Sequence, residues 1–85
     1  MAYAIEFSPS AEREFRKLAP EVRRRLSPHI DSLAQDPRRS GAKKLKGRED
    51  LWRIRVGDYR IVYEVRDRTR VVLVVRVTHR RDVYR

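Results

Sequence analysis

Arginines recur at spaced positions through the C-terminal part of this 85-residue chain: Arg53 and Arg55, then Arg60, then Arg76 and Arg80. Alternate side chains of a β-strand point to opposite faces, so spacing decides which of them can act together. Over residues 51–56, Arg53 and Arg55 share one face while Trp52, Ile54 and Val56 share the other. After a short turn at Gly57-Asp58, Arg60, Val62 and Glu64 fall on one parity and Tyr59, Ile61, Tyr63 and Val65 on the second. A second turn at Asp67-Arg68 leads to Val71, Leu73, Val75 and Val77 on the apolar side, with Val72, Val74, Arg76 and then Arg80 on the arginine side. Guanidinium groups gathered on a sheet face suit phosphate chemistry, because each binds phosphate oxygens in pairs and stays charged.

The composition agrees with that chemistry. Twenty-two Lys and Arg against 12 Asp and Glu give a net charge of +10, a balance that favours phosphate-rich or acidic partners. Arg38, Arg39, Lys43, Lys44, Lys46 and Arg48 crowd the connection just before residue 51. Such a run is as readily a solvated face as a nucleic-acid footprint, since that footprint is independent of sequence. There is no cysteine, hence no disulfide framework, and the two isolated histidines, His29 and His79, do not make a metal site. No metal or other cofactor is implied. The N-terminus lacks a signal-peptide pattern and no apolar run has the length of a membrane span, so the chain reads as cytoplasmic.

The elements that must position the arginines follow from periodicity. Tyr3, Ile5 and Phe7 alternate with Ala4 and Glu6 as in a short strand. Ser8 or Ser10 can cap a helix in which Ala11, Phe15 and Leu18 repeat at helical spacing until Ala19-Pro20. A second stripe, Val22, Leu26, Ile30 and Leu33, contains Pro28, which either kinks one helix or opens a fresh segment capped by Ser27. Asp36-Pro37 ends it, and Ser40-Gly41 marks a loop. The order is β-α-α-β-β-β, an α+β domain spanning residues 1–85, with a two-helix hairpin packed on one face of a mainly antiparallel sheet. Nothing is left to cover the other face. Val62, Val72 and Val74 there are either ordinary strand centres or a docking surface for a partner chain.

Several residue patterns carry a resemblance over the whole chain. The Lys-Leu-Lys-Gly segment (44–47), Leu-Trp-Arg-Ile-Arg-Val (51–56), Asp-Tyr-Arg-Ile-Val-Tyr-Glu-Val (58–65) and the ending Val-Thr-His-Arg-Arg-Asp-Val-Tyr-Arg (77–85) resemble the RelE/ParE toxin superfamily, and within it the RelE-like branch. The resemblance implies the toxin of a type II toxin–antitoxin pair: a ribosome-dependent endoribonuclease that cuts mRNA in the A site by metal-free 2′-OH attack on the phosphate. Position by position it puts active-site basic residues at Arg53, Arg55, Arg60 and Arg80 and the C-terminal aromatic at Tyr84. Arg60 and Arg80 would stabilise the phosphorane, and Tyr84 would stack on a base or place its hydroxyl near the leaving oxygen. Lys43, Lys44, Lys46, Arg48, Arg76 and Arg81 would hold RNA or ribosome backbone, although Gly47 equally reads as a simple turn.

The best-known members have lysines at the positions of Arg53 and Arg55. Arginine, with a pKa above about 12, cannot serve as a base. His79, the nearby side chain that ordinarily titrates close to neutrality, is the candidate for proton transfer, although its parity with Val75 and Val77 favours a structural histidine at the strand end. Glu49 and Asp50 read as a polar turn, His29 as structural or solvated, and Trp52, Tyr59 and Tyr63 as core. The implied partners are the ribosome with its mRNA and a small acidic antitoxin that folds over Val62, Val72 and Val74 in a hetero-oligomer, with no membrane involved. Two other classes stay open on the same fold: a ParE-like DNA gyrase inhibitor without nuclease activity, and a catalytically degenerate nucleic-acid-binding homologue.

Overall fold

Ser8 is where strand gives way to helix. Its backbone is extended (φ −65°, ψ 158°) and its hydroxyl accepts a hydrogen bond from the Ala11 N–H at 3.1 Å, with Pro9 in the first turn, where a missing N–H costs nothing. In this computed structural model, which describes residues 2–47 and 50–81, the elements run β1 (Ala4–Phe7), α1 (Pro9–Arg16), α2 (Pro20–Ser32), β2 (Lys43–Lys44), β3 (Leu51–Val56), β4 (Tyr59–Arg66) and β5 (Val71–His79). Ala19 offers α2 no side-chain cap. Instead Arg23 closes the corner by donating to the Leu18 carbonyl at 2.5 Å and the Arg16 carbonyl at 3.0 Å. Pro28 lies inside a continuous α2, so the single-helix reading holds.

The sheet order is β1-β5-β4-β3-β2, with β1 parallel to β5 and the other pairs antiparallel. This is the expected α+β arrangement with one addition. Lys43–Lys44 forms a two-residue edge strand against β3, which no alternation could announce because both residues are exposed. The helices cover one face. Ala11, Leu26, Ile30 and Leu33 pack with Ile54, Val56, Ile61, Tyr63, Val65, Val72, Val74 and Val77, and Ile5, Phe7, Phe15, Val22, Trp52 and Tyr59 border them. The Tyr63 hydroxyl, inside this core, donates to the Pro37 carbonyl at 2.6 Å, and burial pushes its pKa up to about 12.

The parity of β5 differs from expectation. Val72 and Val74, assigned above to the open face, are fully buried in the core. The ladder shows why: Val65 faces Val72 and Tyr63 faces Val74, but Val62 faces Arg76, so the register shifts by a residue between Val62 and Tyr63. A bulge of this kind inverts parity along the strand. Core-facing positions therefore change from 72 and 74 to 77 and 79, and Val71 and Leu73 lie on the open face instead. Beyond Phe7, β5 continues past the end of β1, and α1 guards the exposed edge. The Glu14 carboxylate accepts the Val77 N–H at 2.8 Å and pairs with Arg76 at 3.1 Å.

Candidate active site on the open sheet face

A two-residue turn concentrates the arginines. Gly57 takes φ 59°, the positive value required at the first central position of such a hairpin, and a Cβ there would collide with the Arg25 guanidinium. Val56 and Tyr59 close the turn, so the next pair across the strands is Arg55 with Arg60, followed by Arg53 with Val62. Cβ atoms directly opposite one another stand about 4.5–5.5 Å apart, and like charges in that position destabilise a sheet. Among the described residues none of Arg53, Arg55 and Arg60 has an ion-pair partner. Partial burial, and then the charges of Arg55 and Arg60, lower the pKa of Arg53 from the ordinary arginine value. Val62 and Thr78, on the same face, are only 9% and 8% exposed. Their ladder neighbours Arg53, Arg76 and Arg60 have aliphatic stems long enough to lie over them.

Arg80 joins this group from the far side. Its backbone N–H donates to the Asp58 carbonyl at 2.6 Å, and its guanidinium lies 3.7 Å from the Asp58 carboxylate. The chain thus gathers Arg53, Arg55, Arg60 and Arg80 around one hairpin tip. Lys43 is opposite Arg53 and extends the positive face, whereas Lys44 is opposite Trp52; both, with Lys46, are exposed. Arg76 is tied to Glu14 and Arg81 is exposed. Tyr84 and Arg48, expected at the site, lie outside the described residues, as does Glu49.

His79 occupies the core side of the strand end, its ring edge-on to Tyr59 at 5.1 Å and its Nδ1 accepting the Arg81 N–H at 3.1 Å. His29 lies 3.3 Å from the Arg39 guanidinium. Of the predicted docking strip only Val62 is on the open face; Val72 and Val74 are not available to a partner, and half-buried Leu73 is. Sequence reasoning missed Asp58 as a neighbour of Arg80. Its adjacency to the Gly57 turn was the available signal. It also missed a polar cluster at the opposite end of the sheet, where Asp67 accepts from Tyr3 at 2.5 Å and from Arg38 at 2.8 Å, with Arg38 stacked 5.5 Å from the Trp52 ring.

Among the described residues, no three His, Asp or Glu side chains come together in a way that could hold a metal ion. No described helix is long and apolar enough to cross a membrane. What the site offers is fixed positive charge on a solvent-facing sheet, suited to binding and polarising a phosphodiester.

Comparison with known proteins bears on the whole chain. A family model described as the ParE toxin of the type II toxin–antitoxin system parDE matches residues 5–84. The mRNA interferase toxin RelE of Escherichia coli is 38% identical over 99% of this chain and 92% of its own length. The toxin RelG of Mycobacterium tuberculosis is 30% identical over 100% and 99%. The crystal structure of the intact E. coli RelBE toxin–antitoxin complex contains a chain that superposes with a TM-score of 0.83 at 35% identity, covering 92% of this chain and 96% of that one. With a family match across nearly its full length and relatives this similar end to end, the chain belongs to the RelE/ParE toxin superfamily.

Proposed function

We propose that this chain is the toxin of a type II toxin–antitoxin system and that it cleaves mRNA in the ribosomal A site. The observation that carries the reading is the set of crowded arginines Arg53, Arg55 and Arg60 on the uncovered sheet face, without an ion-pair partner among the described residues, with Arg80 at its end. Mutual repulsion in such a set is relieved by an anion, and a phosphodiester supplies one. The similarity to an mRNA interferase of E. coli supports RNA as the source of that phosphate. In the reaction the 2′-oxygen attacks the adjacent phosphorus, the bond to the 5′-oxygen breaks, and a 2′,3′-cyclic phosphate and a 5′-hydroxyl result. Arg60 and Arg80 hold the non-bridging oxygens as charge develops, and Arg53 and Arg55 orient the chain in line. The proton leaving the 2′-OH is taken up, and the proton gained by the departing 5′-oxygen is supplied, by groups other than these four or by water, because none of the four gives up its own proton near neutral pH.

The partner we infer is a small acidic antitoxin acting in the same compartment, the cytoplasm. The similar E. coli chain is held in a RelBE toxin–antitoxin complex, which supports a RelB-like partner. An acidic segment lying over the arginines and touching Leu73 neutralises the charge and blocks access in one step. Inducing the chain without its partner and mapping mRNA 5′ ends tests the function. Cuts inside translated codons are expected; intact messages with DNA-damage signalling would instead mark a gyrase inhibitor, which has no use for a phosphate clamp.

A further inference from the structure

Arg80 differs from the other three arginines in how it is held. Arg53, Arg55 and Arg60 project from the paired strands β3 and β4, whose ladder fixes their backbones. Arg80 follows the last residue of β5, outside the ladder, and is exposed. Its fixed points in the described structure are both on Asp58: the backbone bond at 2.6 Å and the guanidinium–carboxylate approach at 3.7 Å. Asp58 is itself the second residue of the turn that follows Arg55 and precedes Arg60. It is the acidic side chain that the Gly57 hairpin carries into the arginine group. An acid in an anion-binding site opposes the ligand by charge alone, so its placement calls for a compensating role. Linking the hairpin tip to the strand-end arginine is that role.

We propose that Asp58 is a positioning residue for Arg80, holding the guanidinium over the hairpin tip so that it and Arg60 address one phosphate from two sides. This rests on the nuclease reading above. Asp58 touches no substrate; it acts through Arg80. A loosely held arginine is less effective because much of the benefit of a charge-stabilising donor comes from its being in place before charge develops. The backbone bond from Arg80 to the Asp58 carbonyl survives substitution of the side chain, so the fold and the turn are retained.

The test is single-turnover cleavage on ribosomes carrying a defined mRNA, with wild type, Asp58→Ala, Asp58→Glu, Arg80→Ala and the double variant Asp58→Ala/Arg80→Ala. We expect Asp58→Ala to lower the saturating rate roughly tenfold, within the loss of up to about a hundredfold attributed to misplacement of a reacting group. Half-saturation should stay within about twofold, and Asp58→Glu should recover most of the rate. In the Arg80→Ala background Asp58→Ala should add nothing, since residues acting as a unit are non-additive. Equal losses in both backgrounds would show that Asp58 acts independently of Arg80. An unchanged or faster Asp58→Ala enzyme would show that the carboxylate merely sits there or competes with phosphate, and either overturns the proposal. Failure of the nuclease reading looks different: wild type itself then leaves the message intact.

Discussion

Replacing Arg60 by Met removes one charge while keeping an unbranched apolar stem, and it should move activity and stability in opposite directions. Arg60 stands directly across the hairpin from Arg55, and Arg53 is the next arginine along the same face. Relief of a directly opposed like-charge pair is worth roughly 0.2–1 kcal/mol. Since about 1 kcal/mol shifts the midpoint of a domain this size by roughly 4–8 °C, the free toxin should melt up to a few degrees higher. The gain should fade in 1 M salt, where the screening length falls to about 3 Å. Cleavage should fall about 10²–10³-fold, the cost of losing one preorganised donor to a developing oxyanion. Thermal melts at low and high salt, paired with single-turnover cleavage on programmed ribosomes, read both quantities on one preparation. A variant that melts lower than wild type at low salt would show Arg60 to be a structural residue. One that cleaves at nearly the wild-type rate would remove it from the reacting set.

Three further outcomes follow from the fold. Tyr63→Phe leaves the Pro37 carbonyl without its donor inside the core and should cost about 1–3 kcal/mol in denaturant unfolding, with no change in the circular dichroism of the folded state. Hydrogen bonds from Arg38 and then Tyr3 hold the Asp67 carboxyl down at about 2. A folded pKa below the unfolded one stabilises fully above about pH 4 and loses that stabilisation as pH falls through about 2, so Asp67→Asn should melt below wild type at pH 7 and converge with it in acid. Val72→Asp should fail to fold, because it puts an unpaired charge at a fully buried site, whereas Leu73→Asp should fold and capture less antitoxin in co-purification; full capture by Leu73→Asp would move the antitoxin off this face.

The arginine site was legible where the sequence alternates cleanly. Over residues 52–61 polar and apolar residues separate by parity, and the hairpin turn is announced by Gly57-Asp58, so the open-face placement of Arg53, Arg55 and Arg60 agrees with the ladder. Residues 71–75 read Val-Val-Leu-Val-Val, apolar on both parities, and offer no way to choose a face. The choice is made by pairing with β4 and by the shift between Val62 and Tyr63, which depend on contacts distant in sequence. That is why Val72 and Val74 were misassigned while Val77 and His79, counted from the wrong start, still came out on the core side. Asp58 and Glu14 escaped notice for a related reason. Their roles come from residues 22 and 62 positions away, Arg80 and Arg76, and no local pattern marks such a partner.

The chemistry available near neutral pH is narrowed by the same geometry. Four arginines supply charge that does not vary with pH, so any ionisation in cleavage belongs to another group. His79 is poorly placed to supply it through Nδ1, which already accepts the Arg81 N–H. The ring is also held edge-on against Tyr59, on the side of the sheet away from Arg55 and Arg60. His79 thereby packs at the core side of the strand end, against Tyr59. The placement of Arg80, the member of the positive face outside the ladder, thus falls to Asp58, a neighbour outside the arginine set.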